Sequence, residues 1–585
     1  MIVQSQDQLR QVIEASRRNP IASVDLESTG LLPYQGDRLI GMAIRFMPED
    51  LSFYLPFRHR VGACLDPSDL RYLAPWFANP AHTAVGHNLS GFDYHFLEAD
   101  GVRVNCAMHD TLLMAHLNDE NEPSRALKAL AAKYVDKDAG AEEARLRDEL
   151  VKRKLGKNQM DQLAPEVVAP YAEKDAELAW LLYGNLLKRL DAQGLSELTK
   201  ETHEYAAALA DIRRQGLLID VVLCEQRHNG ALNEATRVLG ELVRDGLADH
   251  TFNPNSSKQV QRALGTPKAD EATLEPLSRE DTKAGRLAKG VLEYRNWNKV
   301  ATSFYGPLLE SADAYSILHP ELNVTGTVTG RLSCTNPNMQ ALPRTSGATY
   351  RVRDAIIAPR GHTLVSLDYA QVEMRLATYY AQEQGMLSIF QKGADIHGET
   401  GRMAGIERQD AKAVNFGTIY GIGARALAEN LSRASGKPRS ESEAAAILSR
   451  YHAQFPGFRK LMRRAESQAK SRGYIALWTG RRRHYNEETE THKAMSNLIQ
   501  GGVGEIVRVA MTRLHRVLRG TGARMILQVH DDILFYVPTS QVDEFVPMAR
   551  GIMTDFVFGS VPIVCDAKAG PSWGALTEWH PSRLF

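Results

Sequence analysis

Asp25 and Glu27 stand two residues apart in "SVDLESTG", a stretch that reads as a strand ending in a turn. A period of two sends both carboxylates to one strand face, roughly 6–7 Å apart along the backbone, where they can hold one or two metal ions. "NLSGFD" adds Asp93 at the start of a helix, and "YAEKD" adds Tyr171 and Asp175 four apart, hence on one helical face. Four carboxylates from three segments repel one another unless cations neutralise them. Magnesium suits such a set, since it takes oxygen ligands in near-octahedral geometry. Two such ions about 3.5–4 Å apart make hydroxide from water and stabilise the leaving oxygen in phosphodiester hydrolysis.

A second constellation lies towards the C-terminus. "TLVSLDYAQVEMR" runs as an apolar strand that ends at Asp368 and turns helical, and "QVHDDILFYVP" alternates like a hairpin strand on either side of Asp531 and Asp532. Asp368 beside that hairpin places two carboxylates near a second pair of metals, the same chemistry run on a triphosphate. Asp532, one residue further along, is expected to face the opposite side from Asp531 and to act as an accessory acid. Between these segments, "ERQDAKAVNFGTIYGIG" spaces Arg408, Lys412, Phe416 and Tyr420 at four-residue steps, so they share a broad helical face. Two cations followed by two aromatics match the phosphates and the base or sugar of a nucleoside triphosphate.

The elements that must position these groups follow from hydrophobic pattern. Residues 1 to about 190 alternate strands and helices, including a long amphipathic helix through "VAPYAEKDAELAWLLYGNLLKRL". From about 195 to 305 the pattern is helical, with an exposed loop region expected over the turn-rich residues 252–276. Strands resume at 363–368 and 525–537 around a helical insertion from about 371 to 472. The whole is an α/β and α+β multidomain chain, as 585 residues require. The five cysteines have no paired spacing, which argues against a disulfide framework and a zinc site. The 70 Lys+Arg balance the 70 Asp+Glu, which disfavours a protein that merely coats nucleic acid. The basic runs "VKRKLGK" (Val151–Lys157) and "GRRRHY" (Gly480–Tyr485) fit phosphate-binding tracks beside acidic metal sites, although each run taken alone reads more simply as a solvated face. The chain carries neither a signal-peptide pattern nor an apolar run of membrane length, so a cytoplasmic location is expected, the host's if phage-encoded.

The N-terminal set resembles the DEDD-type 3′–5′ exonucleases that carry a tyrosine in their third motif. The resemblance implies an RNase H-like fold, with Asp25, Glu27, Asp93 and Asp175 as metal ligands and Tyr171 orienting the attacking water. The C-terminal set resembles the family A DNA polymerases, with "DYAQVEMR", "RQDAKAVNFGTIYG" and "VHDD" matching motifs A, B and C. It implies a right-hand polymerase in which Asp368, Asp531 and the Tyr369 carbonyl hold two Mg2+ per active site, Mn2+ substituting. Arg408, Lys412 and His397 would contact the triphosphate, with Lys412 donating a proton to pyrophosphate. Gln371 joins the nucleotide site, Phe416 stacks near the incoming sugar and disfavours dideoxynucleotides, and Tyr420 closes the pocket. Glu373 would fill the 2′ side of the sugar. Arg331, Asn338, Gln340, Gln500 and His530 match positions near the primer terminus and minor groove, where acceptor geometry is common to all correct pairs. Ala370, Ser496 and Asp532 depart from the commoner serine, asparagine and glutamate.

The expected organisation is exonuclease over 1–190, mainly thumb over 191–300, palm over 301–375, fingers over 376–472 and palm again over 473–585. The expected partners are primer-template DNA and dNTPs, then helicase, primase and single-strand binding protein, around a monomer. Without a preceding 5′ nuclease segment, the compact form is expected to be a phage replicase or a stand-alone prokaryotic relative. Two rivals are an exonuclease or repair protein whose polymerase half only grips DNA, and a structural DNA-binding factor.

Overall fold

In the N-terminal unit, β1 (Ile21–Ser28) is the middle strand of a five-stranded sheet with β2 (Leu39–Met47), β3 (Leu51–Pro56), β4 (Thr83–Gly86) and β5 (Ala107–Asp110), in the order β3-β2-β1-β4-β5. β2 and β3 run antiparallel and β4 and β5 parallel, the mixed pattern expected when a hairpin is followed by helical crossovers. The computed structural model describes residues 1–343, 351–486 and 490–581. Of the helices in this unit, α1 (Asp93–Ala99), α2 (Thr111–Asn118), α3 (Leu127–Tyr134) and α4 (Pro165–Ala192) bear on the site. Ser23, on the same face as Asp25 and Glu27, donates to the Ala176 carbonyl at 2.7 Å, so that face looks onto α4.

Two long helices, α5 (Ser196–Gln215) and α6 (Val221–Arg244), lead on, and α7 (Lys283–Lys299) packs back on α6. The exposed loop expected over 252–276 instead contains helices Ser257–Leu264 and Glu271–Leu277. Ser256 and Asp270 cap them by accepting main-chain N–H groups, and each inserts one apolar residue, Val260 and Leu274, into a small core with Leu242 and Leu287. Helices of eight and seven residues span only about two turns, too short for their period to stand out among the surrounding turn residues.

The second sheet is antiparallel and contains β6 (His362–Tyr369), β7 (Arg524–Val529), β8 (Asp532–Pro538), β9 (Cys565–Gly570) and β10 (Thr577–Glu578), in the order β7-β8-β6-β9-β10. Alternation splits its side chains. Val365, Leu367, Ile533 and Phe535 pack in one core with Val503, Ile506 and Ala510, whereas Leu364, Ile526, Leu534 and Tyr536 pack on the other side with Val300 and Trp573. Between β6 and β7 come α8 (Val372–Ala381), α9 (Ile396–Ala404), α10 (Arg408–Ile419), α11 (Pro456–Arg472) and the 25-residue α12 (Ala494–Leu518). The expected helical insertion is present, but β6 runs one residue past Asp368, to Tyr369.

Candidate active sites

The first carboxylate set assembles where β1 meets α1 and α4. Asp93, the first residue of α1, accepts the Leu26 N–H at 3.0 Å, tying that helix to β1. The loop before it is fixed by Asp110, which caps α2 and accepts from Asn88 N at 2.9 Å and Ser90 Oγ at 3.1 Å. Tyr171 and Asp175 lie on the buried face of α4. Burial pushes the Asp25 carboxyl up to about 7, against the pull of Lys128 and Lys157. Glu27 and Asp93 are raised well above their usual range, by burial first and the charge of Asp25 second. Buried carboxylates that resist ionisation together form a donor set that divalent cations satisfy.

Two residues at this site escaped the motif reading. Lys128, on α3, forms an ion pair with Asp175 and lies 4.9 Å from the Tyr171 ring centroid. Lys157 donates to the Tyr171 hydroxyl at 3.3 Å and lies 5.6 Å from the same centroid. Lys157 closes the basic run "VKRKLGK", and that run was the available signal.

The second set assembles at one end of the second sheet. His530 and Asp531 form the turn between β7 and β8, His530 in the left-handed region at φ 59°, so Asp531 sits in the turn rather than on a strand. Its carbonyl accepts the Tyr369 N–H at 3.1 Å, drawing the end of β6 against the turn. The Tyr369 phenol is buried and donates to the Met553 carbonyl at 2.8 Å, which leaves only its main chain for the site. Asp532 lies directly across from Asp368, so the two share a face with Ser366, whose hydroxyl donates to Asp532 at 2.7 Å. The accessory acid is therefore a cross-strand neighbour of Asp368. Burial pushes Asp532 up to about 6, with Ser366 lowering and Asp368 raising it.

The helix face expected from motif B is present, with a change at its end. Arg408, Lys412 and Phe416 are exposed on α10, and Tyr420 follows as its capping residue because Gly421, at φ 66°, ends the helix. Tyr420 donates to Glu373 at 2.8 Å, Arg331 pairs with the same carboxylate, and Gln500 hydrogen-bonds Tyr420. Arg408 is held by Asp395 at 2.6 Å, while His397 contacts Asn415 at 3.1 Å and lies 5.8 Å from the Phe416 ring. Burial lowers the His397 imidazole, assisted by Arg408 and Lys412. Gln371, Glu373, His397, Asn415, Phe416 and Asp531 line a cleft of about 60 Å³. Gln340 donates to Gln528 at 3.1 Å, Gln528 in turn bonds the His530 carbonyl, and Asn338 caps its own short helix.

Residues 226–575 match the DNA polymerase family A. The chain belongs to that family. Residues 1–191 match a 3′-5′ exonuclease family. Among curated relatives, DNA polymerase I of Pseudomonas aeruginosa is 29% identical over 604 residues, covering 94% of this chain and 63% of the relative. The thermostable DNA polymerase I of Thermus aquaticus is 30% identical over 443 residues, covering 70% of this chain and 52% of the relative. The chain thus spans roughly half to two thirds of these relatives' length. A solved structure described as the POL domain of Pol1 from M. smegmatis, in complex with DNA primer-template and dNTP, superimposes with a TM-score of 0.81. That structure is 23% identical, with 98% of this chain and 99% of that chain covered.

Two other expectations change. "GRRRHY" is no phosphate track: Arg481 is buried against Glu505 at 2.8 Å, Arg483 against Glu120 at 2.6 Å, and Arg482 stacks on Tyr474. Among the described residues, the trio whose potential ligand atoms lie within 4.8 Å of one another is Asp119, Glu120 and His484, rather than either expected set. Glu120 in that trio already accepts from Arg483, the His484 N–H and the His484 ring, so it is an ion-paired joint between the two halves. A cleft of about 750 Å³, lined by Tyr94, Asp211, His515 and Met525 among others, takes in no carboxylate of either set. No helix among the described residues is long and apolar enough to cross a membrane, and all five cysteines are free.

Proposed function

We propose that this family A chain is a DNA-templated DNA polymerase that extends a primer 3′ end with dNTPs and removes misincorporated ends with its 3′–5′ exonuclease. The observation that carries the reading is one chain holding two separate carboxylate sets, one beside the Arg408–Tyr420 helix and the other beside Tyr171. Asp368 and Asp531, with the Tyr369 carbonyl, would hold two Mg2+ at the palm, and Asp25, Glu27, Asp93 and Asp175 two more at the exonuclease, with Mn2+ as a substitute. When bound, these ions would activate the attacking oxygen and stabilise the leaving one. The chain's own residues hold the substrates. Arg408, Lys412 and His397 grip the triphosphate, Lys412 protonates pyrophosphate, Phe416 stacks near the incoming sugar, and Gln371 and Glu373 line the sugar side. Arg331, Asn338, Gln340, Gln500 and His530 hold primer and template. Pairing alone discriminates by roughly 1–3 kcal/mol per wrong contact, so a site for frayed ends raises fidelity.

We keep the expected division into exonuclease, thumb, palm and fingers, a cytoplasmic setting, and action as a monomer beside helicase, primase and single-strand binding protein. The relatives reported are bacterial, and nothing in them favours replication of phage type. A labelled hairpin primer incubated with Mg2+ tests the reading. Extension with dNTPs and shortening without them are expected, whereas degradation alone points to an exonuclease whose second half only binds DNA.

A further inference from the structure

The hydroxyl of Tyr171 is buried at the first carboxylate set, and its ring lies within cation–π range of two ammonium groups. An ammonium has donors and no acceptor, so in the 3.3 Å contact with Lys157 the tyrosine oxygen accepts. Its own O–H hydrogen is then left for another oxygen. Burial, with Glu27 and Asp25 adding to it, keeps the phenol protonated, so that hydrogen stays available. Lys157 approaches from the short helix Lys157–Gln162 ahead of α4, whereas Lys128 comes from α3 and pairs with Asp175 one turn further along α4. The two lysines thus fix the two functional residues of one helical face from separate elements.

We propose that Lys157 is a positioning residue of the exonuclease reaction that acts through Tyr171, turning the hydroxyl hydrogen towards the attacking water. The proposal rests on the exonuclease reading. Lys157 is exposed, so its replacement leaves no buried cavity, and primer extension by the same chain reports folding.

The test is a double-mutant cycle with Lys157→Met and Tyr171→Phe on single-stranded DNA with Mg2+, plus DNA affinity measured in EDTA. Lys157→Met is expected to lower kcat about tenfold, the scale of one hydrogen bond to a charged group. Affinity in EDTA is expected to stay unchanged, Lys157→Arg to recover part of the rate, and Lys157→Met to cost nothing further in the Tyr171→Phe background. A loss that persists in that background, or that appears as weaker binding in EDTA, overturns the proposal, as does no loss at all. A wild-type chain that extends primers and degrades no single-stranded DNA overturns the exonuclease reading, and the proposal with it.

Discussion

Asp532→Asn isolates the cost of burying the second aspartate of the doublet. The carboxyl rises from 3.8 to about 6 because burial, reinforced by Asp368 across the strand pair, outweighs the Ser366 hydrogen bond. A folded pKa above the unfolded one means that ionisation favours the unfolded chain. The penalty is absent below about 3.8, grows as pH rises, and is complete above about 6. At 1.36 kcal/mol per pH unit the full penalty is about 3 kcal/mol, and about half of it is present at pH 5. Asparagine keeps an acceptor for Ser366 and carries no charge. In EDTA, Asp532→Asn should raise the melting temperature of the polymerase unit at pH 8 by several degrees, at roughly 2–4 °C per kcal/mol, and by less at pH 5. Scanning calorimetry at the two pH values checks this. An equal or larger gain at pH 5 would refute the burial argument.

Three further outcomes are expected. Asp531→Ala abolishes primer extension and leaves single-strand degradation intact, measured on one labelled hairpin; loss of both with normal folding would sink the two-site reading. Glu373→Ala frees the Tyr420 hydroxyl and leaves Arg331 unpaired, and it raises ribonucleotide insertion tenfold or more, on the scale of a charged hydrogen bond of about 1.5–3 kcal/mol, read by single-nucleotide extension with rNTP against dNTP. Asp25→Ala with Glu27→Ala removes 3′ degradation while sparing extension, and an exonuclease that survives would place its metals elsewhere.

What the sequence made legible was local. The i, i+2 carboxylates Asp25 and Glu27, the i, i+4 step from Tyr171 to Asp175, the helix start at Asp93 and the Arg408, Lys412 and Phe416 face of α10 depend on periodicity within a few residues, and each stands where periodicity puts it. Partners contributed by distant segments were illegible. Nothing near Asp532 says that Asp368 will lie opposite it; that pairing depends on the register of β6 against β8, residues more than 160 positions apart. Nothing near Tyr171 says that a lysine from α3 will cover its ring. At the helix end periodicity alone was not enough: α10 stops at Ile419, with left-handed Gly421 just beyond, so Tyr420 caps the helix instead of extending the face of Phe416.

The basic run "GRRRHY" shows why charge in a sequence is ambiguous in a particular way. A phosphate track and a buried ion-pair joint use the same residues, and only the positions of acids in other segments decide between them. Glu505, on α12, and Glu120, two residues past the end of α2, take up Arg481 and Arg483, so neither guanidinium is left for DNA. Removing one partner strands a buried charge, at a cost typically of about 3–5 kcal/mol, whereas a track residue on the surface costs far less to lose. Of the two pairs, Arg481–Glu505 lies within the region that matches the polymerase family, whereas Arg483–Glu120 ties that region to the one that matches the exonuclease family, so its loss also loosens the seam between them.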